Sequence, residues 1–116
     1  MVFNDSMSVI IRGYQILKSG FWTQHRPARD KHGFAVPPRC ADATTFCALG
    51  AVERAGLVLG ATDSFMGDAM TLLNTSAIEL FGHKITDVND ANGPFSYHHV
   101  LEVFEDAIHK ETQPSL

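Results

Sequence analysis

At 116 residues, 45% of them hydrophobic and 19% charged, the chain has material for one hydrophobic core and too little for two. No run of eighteen apolar residues occurs, and Met1-Val2-Phe3-Asn4-Asp5-Ser6 lacks the basic start and apolar centre of a signal peptide, so a membrane partner is excluded and a cytoplasmic location expected. The net charge of −4 conceals a division: residues 1–41 carry six Lys or Arg against Asp5 and Asp30, whereas residues 42–116 carry three against eleven Asp or Glu. The two parts either attract each other within the fold or leave a basic face for an anionic partner.

From Met7 to Leu17 the apolar residues Met7, Ile10, Ile11, Tyr14 and Leu17 recur at helical spacing, with Asn4, Asp5 or Ser6 to cap the start and Gly20 to end it. Phe21-Trp22-Thr23-Gln24 then reads as a strand, Arg26 to Gly33 as a turn, and Phe34-Ala35-Val36 as a return strand stopped by Pro37-Pro38. Two strands alone are marginal in water, so this hairpin must lean on helices. A second helix is expected from a cap at Asp42 to about Ala55, with Gly56 beyond its end and Phe46, Cys47, Leu49, Gly50 and Val52 on its core face. Glycine inside a helix costs roughly 1 kcal/mol relative to alanine, so Gly50 predicts another backbone packed close to it.

A third helix is predicted from Thr62, Asp63 or Ser64 to Phe81-Gly82, burying Met66, Ala69, Met70, Leu73, Ala77, Leu80 and Phe81, with Gly67 and Asn74-Thr75-Ser76 as points of bending. Phe65 and Leu72 lie outside that stripe and leave room for a homodimer. Ile85-Thr86-Asp87-Val88 reads as extended, and Asn89 to Pro94 is dense in turn residues. Ser96 then caps a last helix with Tyr97, Val100, Leu101, Phe104, Ala107 and Ile108 on its face, while residues 1–6 and 111–116 are expected to fray. The fold class predicted is mainly α, at the margin of α+β: a single domain over residues 1–116 of about four helices on one core, with one short β-hairpin between helices 1 and 2.

Chemistry-bearing sets are sparse. A thiol enzyme would use Cys47 as nucleophile, His98 or His99 as base and Asp87, Asn89 or Asp90 as orienter, but Cys47 reads as a mid-helix residue among apolar neighbours. Cys40 and Cys47 are read as reduced thiols. The six histidines (His25, His32, His83, His98, His99 and His109) form no His-x-x-x-His pattern, Cys40 and Asp90 complete no ligand set with them, and there is no Cys-x-x-Cys; no metal site is predicted. His98 is expected to face solvent. Neither phosphate-cradling glycine motif occurs, so no cofactor is expected, and Glu102, Glu105 and Asp106 read as the polar face of a helix. No catalytic residue is assigned.

The hairpin is the better candidate. Residues 18–39 gather Lys18, Arg26, Arg29, Lys31 and Arg39 against Asp30, with Trp22, His25 and His32 between them, a pattern suited to an anionic surface. The competing reading has Trp22 pin the hairpin to the helices and Arg29-Asp30 form its turn. Asn89-Asp90 either fixes the last helix or joins a polar site beside the hairpin. The candidate binding set is therefore Trp22, Arg26, Arg29, Asp30, Lys31, Asn89 and Asp90.

Gly20, Trp22, Ala28-Arg29-Asp30, Gly33, Asp42-Ala43, Phe46-Cys47, Leu49-Gly50-Ala51, Asn89-Asp90 and the helix from Val100 to Ile108 together resemble a small bacterial and phage domain family of unknown function. Its members share a Trp-containing hairpin, a helix reading Ala-x-x-Phe-Cys-x-Leu-Gly-Ala and an Asn-Asp step before a last amphipathic helix. The resemblance implies a cytosolic, mainly helical domain and supplies no catalytic residues. The function expected is that of a binding or regulatory protein acting through the basic hairpin on a protein partner, with nucleic acid as a further candidate through residues 18–39. The alternatives are a phage-derived inhibitor of a host defence or nucleic-acid-processing complex, and a small thiol- or carboxylate-dependent enzyme.

Overall fold

The computed structural model describes residues 5–112, with side chains to Lys110; of the residues expected to fray, 1–6 and 111–116, Asp5 caps and Ser6 begins the first helix, 111–112 continue the last one, and the rest lie outside what is described. Helix α1 spans Ser6–Lys18, and Asp5 starts it by accepting the Ser8 N–H at 2.9 Å, which satisfies one of the donors that a helix start leaves open. Strands β1 (Ala28–Arg29) and β2 (Thr45–Phe46) follow, then α2 (Ala48–Leu59), α3 (Asp63–Phe81), α4 (Ile85–Asp90) and α5 (Ser96–Thr112). The architecture is mainly α with one short antiparallel β pair between α1 and α2, as the sequence predicts. The helix beyond the expected four is α4.

The strands fall elsewhere than expected. Ala28 pairs with Phe46 and Arg29 with Thr45, while Trp22 bridges Phe46 on one side and Ala35 bridges Arg29 on the other. The segments 21–24 and 34–36 thus supply only flanking bridges, and the residues read as a turn form the centre. Pro27 explains the shift: its carbonyl accepts the Cys47 N–H at 3.0 Å, which brings residues 27–29 alongside 45–47. Gly50 permits that approach, because a Cβ there would lie 1.8 Å from the Pro27 oxygen. The close backbone inferred from Gly50 is real, and it is a loop rather than another helix.

Helix α2 starts at Ala48 instead of Asp42, and it runs through Gly56 to Leu59 before Gly60 ends it at φ 68°. Gly56 sits inside the helix because the Met66 side chain fills the space where its Cβ would stand. Helix α3 keeps its predicted bounds, capped by Thr62 and ended by Gly82, and passes unbroken through Gly67 and Asn74-Thr75-Ser76. Thr71 and Thr75 turn their hydroxyls back onto the Gly67 and Thr71 carbonyls, and Asn74 Oδ1 accepts the Ile85 N–H at 2.9 Å. That borrowed cap helps convert the segment expected to be extended into α4, which buries Ile85 and Val88 one turn apart. Ser96 is the first residue of α5, and its hydroxyl donates to the Ala91 carbonyl.

Helix α1 lies at the centre, packed on α2, α3 and α5. Its buried residues are Val9, Ile10, Gly13 and Leu17, so the stripe is rotated from the expected one and leaves Ile11 exposed. Gly13 admits the Phe104 ring and the Ala51 backbone. Phe104, Leu73, Ile85 and Val52 complete the interior, each large side chain contributing about 1.5–3 kcal/mol by leaving water. Of the residues expected to be buried on α3, Leu80 is exposed and Phe81 lies half-buried against the His99 ring at 4.4 Å. Among the described residues no helix is long and apolar enough to cross a membrane.

Candidate functional site

Asn89, only 1% exposed at the end of α4, is the point from which the loop after α1 is organised. Its Oδ1 accepts the Trp22 indole N–H at 2.8 Å and the Ala48 N–H at 2.9 Å, and its Nδ2 donates to the Thr23 carbonyl and to Asp90 Oδ1. One amide side chain therefore joins the loop, the first turn of α2 and α4. Gln24 adds donations to the Asn89 and Ala91 carbonyls. Asp90 Oδ1 also accepts the N–H of His25, the one described non-glycine residue at positive φ, 70°. A bond to a carboxylate offsets the strain of that conformation, which is on the order of 1–3 kcal/mol. The Trp22 ring rests against Tyr97 at 5.3 Å, and Tyr97 donates to the Leu17 carbonyl.

Arg29 is likewise spent inside the loop. Its Nε donates to Thr23 Oγ1 and its two terminal nitrogens to the Gly33 and Gln24 carbonyls, at 2.9 to 3.1 Å. Asp30 builds the tip: its Oδ1 accepts the N–H groups of His32 and Phe34, its N–H donates to the Phe34 carbonyl and its carbonyl accepts from Gly33. Gly33 is at φ 86°, a conformation that suits glycine. The five-residue turn 30–34 is fixed by its own bonds and by Arg29.

Of the seven candidate residues, Trp22, Arg29, Asp30, Asn89 and Asp90 thus direct their polar atoms into the fold, which is the pinning and turn-forming arrangement weighed against the binding one. Arg26 and Lys31 are exposed and form no hydrogen bond or ion pair with another described residue. Phe34, 69% exposed at the end of the locked turn, was missed because its segment reads as a strand. The available signal was Asp30-Lys31-His32-Gly33, an Asx-type turn that ends by pushing the next residue outward. A recess of about 380 Å³ beside the turn is lined by Asp30, Lys31, His32, Ala41, Asp42 and Thr44. The acidic remainder neutralises little of this surface: Arg39 meets Asp63 at 3.8 Å with the carboxylate almost fully in water.

Cys47 requires a correction. It is the N-cap of α2, with Sγ accepting the Gly50 N–H at 3.4 Å, and does not lie in mid-helix. Burial nevertheless pushes its thiol up, against the lowering effect of the Gly50 and Leu49 N–H groups. No histidine hydrogen-bonds it among the described residues, and His98 is exposed on α5. Among the described residues no three His, Cys, Asp or Glu side chains gather in a way that would hold a metal ion. Set against known proteins, the chain matches no family model, no curated protein and no solved structure.

Proposed function

We propose that the chain is a small cytosolic binding or regulatory protein that acts through the basic loop between α1 and β2. The observation that carries this reading is the division of labour in the loop. Trp22, Arg29, Asp30, Asn89 and Asp90 hold it in one shape, and Arg26, Lys31 and Phe34 are left facing water with no internal role. An interface held in advance loses less entropy on binding. The family resemblance adds a bacterial or phage origin to the proposal, within which inhibition of a host complex is a special case of the same surface. The thiol-enzyme alternative has less support, since Cys47 is buried, raised in pKa and without a base.

The test is retention of a partner from bacterial lysate on immobilised protein, compared with the double variant Arg26→Glu and Lys31→Glu. Arg29 is left intact because its loss would disturb the loop itself. A component held by the wild type and released by the folded variant supports the reading. Equal retention by both, or retention by neither, overturns it.

A further inference from the structure

The locked turn has an open edge. The bridge between Arg29 and Ala35 is made by the Val36 N–H to the Ala28 carbonyl at 3.1 Å and the Asp30 N–H to the Phe34 carbonyl at 2.9 Å. That register turns the N–H and carbonyl of Ala35 away from β1, and neither has a hydrogen-bond partner among the described residues. Trp22, β2, β1 and Ala35 therefore stand side by side in that order, with Ala35 as the outer member. Phe34 precedes it with its ring in water, Lys31 and His32 occupy the turn, and Pro37-Pro38 ends the edge. An unpaired edge is a template for another extended chain.

Resting on the binding reading above, we infer that this edge takes a short extended acidic segment of another protein. The segment would pair its backbone with Ala35, lay an apolar side chain on Phe34 and direct carboxylates to Lys31 and Arg26. Charge selects the class of partner. Residues 18–39 carry five Lys or Arg against Asp30 alone, and of the five Lys31 in the turn and Arg26 ahead of β1 are the two without a partner among the described residues; Asp30 and Asp42, which line the recess with Lys31 and His32, are the opposing carboxylates. A polyanion such as single-stranded nucleic acid fits less well. The tryptophan that could stack a base is turned onto Tyr97 and Asn89, the Arg29 guanidinium is consumed, and the chain as a whole is negative.

The experiment selects from a phage-displayed library of random twelve-residue peptides on immobilised full-length protein, with counter-selection on Phe34→Ala. Selected peptides are then measured by fluorescence polarisation against the wild type, Phe34→Ala, Lys31→Glu and Ala35→Pro, the last removing the edge N–H. We expect acidic sequences with an apolar residue, at least tenfold weaker binding to Phe34→Ala and Lys31→Glu, and affinity that falls as salt rises. If Ala35→Pro does not fold, a wild-type binding peptide N-methylated along one edge tests the reciprocal hydrogen bond, from the peptide N–H to the Ala35 carbonyl, and it should bind at least tenfold more weakly. Enrichment of no acidic peptide, or binding untouched by Phe34→Ala and Lys31→Glu, overturns the inference. So does tighter binding of a fifteen-residue oligothymidine than of any peptide. Should lysate retention depend on Arg26 and Lys31 while no acidic peptide is selected, the edge inference alone falls; if both fail, the loop is not a binding face.

Discussion

Asn89 satisfies two donors and two acceptors from a position with almost no access to water. Replacing it with alanine strands the Trp22 indole N–H and the Ala48 N–H, and each stranded buried donor costs roughly 1–3 kcal/mol. Urea unfolding of Asn89→Ala should therefore show a loss of at least about 2 kcal/mol, and a loss under about 0.5 kcal/mol would mean that water replaces the amide. Gly50 is constrained more simply. Alanine there drives its methyl into the Pro27 carbonyl at 1.8 Å, so the loop must move off α2 and a marked drop in the urea midpoint is expected. Cys47 yields a prediction in pH. Its folded thiol is raised chiefly by burial, so the stability it contributes is complete below the unfolded thiol pKa and is lost as pH rises through the folded one. Cys47→Ser, which keeps a capping atom, should remove that alkaline loss while changing neutral stability by no more than about 1 kcal/mol. An unchanged alkaline limb in the serine variant would assign the loss to other groups. In the wild type a thiol reagent at neutral pH should consume the half-buried Cys40 first and reach Cys47 only as the protein opens.

Among helices, Gly67 and Gly56 behave oppositely. Gly67 on α3 has nothing within 4 Å of where a Cβ would stand, so Gly67→Ala should stabilise by up to about 1 kcal/mol through helix propensity. Gly56 on α2 is filled by the Met66 side chain, and Gly56→Ala should destabilise. A pair of urea curves checks both, and a stabilised Gly56 variant would show that Met66 repacks without cost. The same contrast marks what could be read from the sequence. The bounds of α3, a cap for α1 within residues 4–6 and the buried positions Ile10, Leu17, Met66, Ala69, Leu73, Val100 and Phe104 follow from periodicity and capping chemistry, which act locally. The start of α2 did not follow, because Asp42 looks like a cap and what decides the matter is the distant Pro27 carbonyl claiming the Cys47 N–H. Helix α4 did not follow either, since its first N–H is satisfied by Asn74 from another helix. In the candidate site, Arg26 and Lys31 were legible as charges. The inward roles of Arg29 and Asn89 were legible only as the competing pinning reading, and their particular partners were not, because a carbonyl acceptor leaves no mark in the sequence.

At the scale of the molecule, two systems are joined. The helical interior is built on α1, α2, α3 and α5, and the loop from Gly20 to Phe46 has few large buried side chains of its own beyond Phe46. The loop is held to the interior by the Asn89 amide, by Gln24 on the end of α4, by Pro27 on the start of α2 and by Arg54, whose Nη1 donates to the Pro38 and Cys40 carbonyls. These attachments meet several helices, so the intact loop should open only together with the start of α2. Removing the Asn89 bonds leaves the helical core almost untouched, since apart from the neighbouring Asp90 the amide's partners lie in the loop and at the first turn of α2. Amide exchange should therefore show Asn89→Ala losing protection at Thr23, Phe46 and Cys47, whose N–H groups bond across the loop, while Leu17, Leu73 and Phe104 retain theirs. Uniform loss across all six would mean that loop and core form one cooperative unit. Selective loss would mean that the surface presenting Phe34 and Lys31 can be loosened without unfolding the protein, and that its binding competence depends on a residue that does not itself face solvent.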